Sequence, residues 1–258
     1  MKISSKDNKI IKLAKKLHNR KERKENNLFI IEGEKLIKEA IQEGLKLPYL
    51  FSIEENQNNF DNFLEIENYE IPRHFMEFIS TTDSPPPYLA ISEIIKWSEN
   101  YLNKSDLIII VNELQDPGNF GTIIRSAEAA GVGCVYATKG TVDLFNPKVV
   151  RASMGSIFRQ PVIYLDNLND FIEKIINDHW QVLLTTPYTE NNLNHYNYQG
   201  KTAIFIGNEG QGLRQDLLDN YKTIKIPMLG NVESLNTSIA ASIVLYEVMR
   251  QRDYKKNN

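Results

Sequence analysis

Ile226-Pro227-Met228-Leu229-Gly230-Asn231-Val232-Glu233-Ser234-Leu235-Asn236 is a polar loop that opens a long apolar run, Thr237-Ser238-Ile239-Ala240-Ala241-Ser242-Ile243-Val244-Leu245. A strand-like run over residues 223–226 leads into it, and the run behind it reads as a helix over about 234–252. The arrangement occurs twice more, at Asp116-Pro117-Gly118-Asn119-Phe120-Gly121 and at Gly207-Asn208-Glu209-Gly210-Gln211-Gly212. Each of these loops joins a strand-like run to a helix-like run. Open α/β sheets place their ligands at such junctions.

Working outward, apolar strand-like runs at residues 107–111, 134–137, 182–185, 203–206 and 223–226 alternate with helix-like segments, the pattern of a parallel α/β domain. Its first helix should begin near Asn119 and stop at Gly131, and a second should open at Asn146-Pro147, a capping residue followed by proline at the first helical position. Upstream, Phe29-Ile30-Ile31-Glu32-Gly33 reads as a strand, followed by a helix from about Glu34 to Glu43 that Gly44 stops, and Tyr49-Leu50-Phe51 as a second strand. Small alternating elements continue to the turn Asp83-Ser84-Pro85-Pro86-Pro87, after which Tyr88-Leu89-Ala90-Ile91-Ser92 returns as a strand. The polar stretch at 97–106 reads as a linker, which divides the chain into a smaller α/β domain at 1–103 and a larger one at 104–258.

Charge is distributed unevenly. The 258 residues carry a formal net charge of -3, yet residues 1–24 hold Lys2, Lys6, Lys9, Lys12, Lys15, Lys16, Arg20, Lys21, Arg23 and Lys24 against only Asp7 and Glu22. Such a block suits RNA or DNA phosphates, and Lys15, Lys16, Arg20, Lys21 and Arg23 are its candidate contacts. The plainer alternative is a solvated amphipathic helix, because Ile3, Ile10, Ile11, Leu13, Ala14 and Leu17 supply an apolar stripe. No apolar run approaches the length needed to span a bilayer. Cys134 is the only cysteine and no apolar leader is present, so a cytoplasmic protein is expected. His18, His74, His179 and His195 lack paired ligand spacing, and no metal site is expected.

The loops also carry a specific resemblance. DPGNFGTIIRSAEAAG (116–131), FIGNEGQGL (205–213) and IPMLGNVESLNTSIAASIVLYE (226–247) resemble, in order, the three motifs of the SpoU/TrmH family of the SPOUT superfamily, RNA ribose 2′-O-methyltransferases that use S-adenosylmethionine. NPKVVRASMGSIFRQPV (146–162) resembles the segment between the first two motifs, and RKERKENNLFIIEGEKLIKEA (20–40) the L30e-like substrate-binding domain that precedes many members. The resemblance implies an α/β-knot domain with a deep trefoil knot, an exception to unknotted topology, behind a small L30e-like α/β domain. It implies a homodimer and an RNA substrate, most simply 23S ribosomal RNA. A transfer RNA substrate, or a catalytically idle RNA-binding or ribosome-assembly protein of the same fold, is the alternative.

The same matching assigns roles. Gly207, Ile226 and Leu235 would bind the methyl donor, with Met228 and Gly230 lining it, where glycine lets main chain approach a ligand. Taken alone, Gly207, Gly210 and Gly212 would only make a tight turn, and their GxxGxG order is not the GxGxxG dinucleotide fingerprint. Arg125 and Asn119 match the first motif, where the arginine is to activate the ribose hydroxyl. Because arginine holds its proton strongly, a phosphate-binding and alkoxide-stabilising cation is the simpler role. Its bland alternative is an i,i+3 ion pair with Glu128. Glu209, Ser234 and Asn236 complete the catalytic set; Ser234 is the expected helix cap and Asn236 the freer side chain, since one helix needs one cap. Arg151, Ser153 and Arg159 in the intervening segment are further candidates for RNA phosphates.

Overall fold

A computed structural model describes residues 1–54, 66–98 and 100–253. Part of the expected alternation between Phe51 and Asp83, at 55–65, lies outside the described residues. The chain divides into two compact units, Met1–Lys96 with Asp143–Phe158, and Trp97–Val142 with Arg159–Asn258.

In the first unit the basic block forms two helices rather than one. Helix α1 (Lys9–Lys16) is capped by Asn8, and α2 (Arg20–Asn26) by Asn19, whose side chains accept from Ile10 N and Lys21 N. The apolar stripe of the block lies inward, with Ile3, Ile11, Ala14 and Leu17 in the core beneath strands β1 (Leu28–Glu32), β2 (Tyr49–Ile53), β3 (Asn68–Ile71) and β4 (Tyr88–Glu93). Their order is β1-β4-β2-β3, antiparallel except for the parallel pair β2 and β3. Helices α3 (Glu34–Gln42) and α4 (Arg73–Ile79) complete this unit's N-terminal part; α3 follows Gly33, whose φ of 98° is open to glycine at low cost.

The second unit is a six-stranded, wholly parallel sheet. It begins with β5 (Leu107–Val111), α5 (Pro117–Ala129) and β6 (Cys134–Ala137). The chain then contributes α6 (Pro147–Ala152) to the first unit, capped by Asn146 with Pro147 in its first turn, before β7 (Val162–Tyr164) resumes the sheet. Helix α7 (Leu168–Asn177), β8 (Gln181–Thr185), β9 (Thr202–Ile206), α8 (Gln215–Asn220), β10 (Lys222–Ile224) and α9 (Thr237–Asp253) follow. The strand order is β10-β8-β9-β5-β6-β7. All five residues of β5 are buried, as a strand covered on both faces requires. Short β7 was not apparent in the sequence: Val-Ile-Tyr is too brief to show a period, and only its parallel pairing with β6 makes it a strand.

Several boundaries shift by a few residues for local reasons. Helix α5 starts at Pro117 rather than near Asn119, because Asp116 caps it by accepting from Asn119 N and Pro117 fills the first turn. The segment expected as a linker carries a 3-10 turn at Asn100–Asn103, and its Leu102 is buried in the second unit's core. Burial pushes the Cys134 thiol up to about 12, so it stays a protonated core residue. Helix α9 packs on α5, where the Ser126 and Ser242 hydroxyls lie 2.7 Å apart. No helix among the described residues is long and apolar enough to cross a membrane.

Candidate active site

The three loops singled out in the sequence meet at the carboxyl ends of β5, β9 and β10. Gly207 closes β9 and is buried; a Cβ there would lie 2.4 Å from the Gly212 carbonyl carbon and 2.7 Å from Leu213 N. The loop folds back on itself at this point, since Asn208 and Gly212 exchange two main-chain hydrogen bonds of 3.0 Å. Gly212, with φ of 69°, supplies the left-handed turn that Gly207 does not. The glycine requirement at 207 therefore arises from loop-on-loop packing.

Glu209, carried on this loop, ties it to the start of α5. Its carboxylate accepts from Gln115 N (3.3 Å), Asp116 N (3.1 Å) and Asn119 Nδ2 (3.2 Å), and a negative charge is favoured there by the helix dipole. Asn119 Oδ1 in turn accepts from Asn236 Nδ2 at 3.0 Å. Asn236 Oδ1 caps α9, accepting from Ser238 N (2.9 Å), Ser238 Oγ (2.7 Å) and Ile239 N (3.3 Å). The expected cap is thus corrected: Asn236 takes that position because α9 begins at Thr237, and Ser234 is left exposed two residues earlier. A continuous line Glu209–Asn119–Asn236 holds all three loops together.

A cavity of about 330 Å³ opens beside this line. Of the proposed donor residues, Gly207, Ile226, Met228 and Leu235 line it, as do Glu209 and Ser234. Gly230 is exposed with open space around it and is not among the lining residues. The sequence reading missed Thr185, Thr186, Pro187 and Tyr188, which wall the cavity from the end of β8. Their signal was a parallel strand ending in Thr-Thr-Pro beside β9, at the same sheet edge.

Arg125 stands exposed on α5 among the buried Ile123, Ile124 and Ala127 and has no ion pair among the described residues. The Glu128 alternative does not form: that carboxylate instead takes the guanidinium of Arg159 through Nε and Nη2.

The candidate RNA contacts of the first unit fall into different environments. Lys16 is exposed, Lys15 lies 5.1 Å from the Phe78 ring centre, Lys21 pairs with Glu25 at 3.7 Å, and Arg20 sits 3.8 Å from Asp143. Arg23 is a correction. Its side chain is 3 % exposed, with Nε and Nη2 donating to Asp143 Oδ2 at 2.8 and 2.6 Å and Nη1 to the carbonyls of Leu17 and His18 at 2.8 Å. The turn between α1 and α2 leaves two carbonyls pointing inward, and the arginine satisfies them. Ser153, also buried, spends its hydroxyl on Val150 O at 2.8 Å. Removing Arg23 should leave both carbonyls without partners and Asp143 with only the more distant Arg20, 3.8 Å away, so Arg23→Gln is expected to cost roughly 3–5 kcal/mol of stability. Denaturant unfolding checks it; an unchanged midpoint with weakened RNA binding would restore Arg23 to the RNA face.

A parallel α/β unit with three latched loops around a cavity at its carboxyl edge defines a ligand-binding α/β protein. Comparison with known proteins identifies which one. The family model of SpoU rRNA methylases matches residues 106–246, and that of the MRM3-like substrate-binding domain matches 8–90. The 23S rRNA (guanosine(2553)-2′-O)-methyltransferase RlmP of Bacillus subtilis is 32% identical over 252 residues, covering 95% of this chain and 98% of that protein. An uncharacterised tRNA/rRNA methyltransferase of Synechocystis is 31% identical over 257 residues, covering 97% and 94%. Among solved structures, an RNA 2′-O ribose methyltransferase superposes with a TM-score of 0.86 at 31% identity, covering 98% of this chain and 99% of its own. An rRNA methyltransferase from Sinorhizobium meliloti, bound to AdoMet, gives 0.85 at 29% identity and covers 97% of each chain. The chain belongs to the SpoU rRNA methylase family. It is an S-adenosylmethionine-dependent RNA ribose 2′-O-methyltransferase with the SPOUT fold and an N-terminal substrate-binding domain.

The cavity fits that donor. Its volume lies in the range of about 300–1,000 Å³ typical of small-molecule sites. Leu213, Leu218, Ile224 and Val244 give it an apolar floor, and Ser234 and Thr237 offer hydroxyls. When bound, S-adenosylmethionine supplies an electrophilic methyl group on a sulfonium sulfur.

Proposed function

We propose that the RNA methylated by this enzyme is 23S ribosomal RNA, that Arg125 is its principal catalytic group, and that it works as a cytoplasmic homodimer. The near-complete overlap with the Bacillus subtilis 23S rRNA enzyme, 95% of this chain at 32% identity, carries the substrate reading. Mapping ribose methylation in 23S rRNA and in transfer RNA, with and without the enzyme, tests it. A position lost from 23S rRNA supports the proposal; one lost from transfer RNA instead overturns it.

A ribose 2′-hydroxyl attacks poorly until its developing negative charge is stabilised. Arg125, exposed and unneutralised, is suited to that task as a cation, and Asn119 sits on the same helix with its side chain already committed to the loop line. Glu209, whose carboxylate is spent on three N–H donors, acts by holding loops in register, and Asn236 by fixing the start of α9. Ser234, at the cavity and without a hydrogen-bond partner among the described residues, is free to hydrogen-bond donor or substrate. Gly207, Ile226, Met228 and Leu235 hold the donor.

Helix α9 supports the dimer. Val244 and Val248 are buried within the unit, whereas Ile239, Ile243 and Tyr246 are exposed, joined by Leu229 and Val232 of the preceding loop. A helix that is apolar on both sides asks for a second cover. In a two-fold interface one charge enters twice. Ile239→Glu is therefore expected to convert a dimer, seen by light scattering, to a monomer with little activity. A wild-type monomer that is fully active at low concentration would contradict the dimer.

A further inference from the structure

Glu32 closes strand β1 as a carboxylate with a side chain only 2 % exposed, outside the cavity and its loops. A buried carboxylate is retained at a cost in desolvation unless donors surround it. Here four hydrogen bonds do so: Thr81 N at 2.6 Å, Thr81 Oγ1 at 2.9 Å, Ser80 Oγ at 3.1 Å and Arg151 Nη1 at 2.5 Å. Arg151 Nη1 also donates to Thr81 Oγ1 at 2.5 Å.

The arrangement of Arg151 differs from that of the other networked arginines. Arg23 spends all three nitrogens on protein acceptors inside the first unit. Arg252 does the same on Tyr198 O, Asp106 and Gly200 O in the second. Arg159 faces Glu128 through two nitrogens. Arg151 is held through Nη1 alone and its side chain remains 28 % exposed, so Nε and Nη2 have no partner among the described residues. Lys148, three positions earlier and thus on the same face of α6, is exposed and has no ion pair among the described residues, and α6 contains no acid. Immediately beyond lies a strained turn: Met154 and Gly155 both have left-handed φ, 49° and 92°, and Met154 is exposed. A half-engaged, pre-oriented guanidinium beside a free lysine matches the planar, two-pronged geometry of a phosphate.

We propose that Glu32 and Thr81 are positioning residues that hold Arg151 by one nitrogen so that its remaining edge grips a backbone phosphate of the RNA substrate, with Lys148 beside it. The inference rests on the assignment of the chain as an RNA methyltransferase. It makes α6, although it interrupts the catalytic sheet in sequence, part of the RNA-binding surface of the first unit.

The test uses the full-length enzyme and transcribed 23S rRNA, with binding measured over a salt series, methyl-transfer kinetics and S-adenosylhomocysteine affinity. Arg151→Gln should weaken RNA binding about tenfold and reduce the log–log salt slope by about one ion. Arg151→Lys should keep the slope but not the affinity, for want of the fork. Glu32→Gln keeps the cation and loses its anchor, so the slope should persist while KM for RNA rises about five- to tenfold, with kcat and S-adenosylhomocysteine affinity unchanged. Should Glu32→Gln fail to fold, Thr81→Ala removes the hydroxyl that donates to Glu32 and accepts from Arg151, while the Thr81 N–H remains, and should raise KM in the same way. A wild-type salt slope in Arg151→Gln, or variants that lower the melting temperature without moving KM, would show a purely structural ion pair and overturn the proposal. If the wild type neither binds nor methylates RNA, the functional assignment itself fails; if it does both and the variants match it, only this inference falls.

Discussion

Arg125→Ala is expected to slow methyl transfer by roughly three orders of magnitude while leaving donor affinity within about twofold. The reasoning starts from where the side chain stands. Its helix neighbours Ile123, Ile124 and Ala127 are buried and anchor α5 in the sheet, so the arginine is carried on a rigid element. The helix start is tied down by Glu209 and Asn119, which limits how far Arg125 moves. It carries no ion pair among the described residues, because Glu128, the acid placed to neutralise it, is occupied by Arg159. A cation that stabilises charge arising only in the transition state contributes to kcat and not to donor binding. Arg125→Lys, which keeps charge and loses the planar fork, should recover only part of the rate. Single-turnover kinetics with saturating donor measure the effect, and near-normal turnover in the alanine variant would reduce Arg125 to an ordinary surface residue.

Gly207→Val should weaken donor binding by about a hundredfold in a protein that still folds. The Cβ it adds would meet main chain of Gly212 and Leu213 at 2.4–2.7 Å, and main chain cannot rotate aside. The loop must open, which breaks the paired hydrogen bonds between Asn208 and Gly212 and displaces Glu209 from α5. Overpacking of this kind costs typically 1–3 kcal/mol, and the upper end corresponds to about a hundredfold in affinity. Calorimetry with S-adenosylhomocysteine reads the loss, and circular dichroism verifies the fold. Retained affinity in the folded variant would remove Gly207 from the donor site. By the same geometry Gly230, which has open space around it, should tolerate alanine with little loss of binding.

Much of this enzyme is legible in one dimension because its signals are local. The strands at Leu107–Val111 and Thr202–Ile206 carry unbroken apolar runs over residues 107–111 and 203–206, which is what burial on both faces demands. Asn146-Pro147 marks a helix start by cap chemistry alone, and the three loop motifs lie beside strand ends where a parallel sheet gathers its ligands. Family membership follows from the order of those motifs.

Other features depend on residues far apart in sequence, and no local pattern reports them. Arg23 belongs to a block of cations indistinguishable from its neighbours until Asp143, 120 residues away, is folded against it. Asn236 caps α9 with its amide oriented by Asn119, 117 residues away, which leaves its Oδ1 for the helix start. Glu209 turns from a free carboxylate into a latch only when β5 and β9 pair and bring Gln115 and Asp116 to it. The three-residue β7 exists only as a partner for β6. Apolar runs and capping chemistry are written residue by residue, and they determined the parallel sheet and the loops of the site, while the resemblance of the three ordered motifs pointed to the family. Which charges are buried, which loops are tied and which half of a guanidinium stays open depend on desolvation and on partners brought from elsewhere in the chain, and only the tertiary structure decides them.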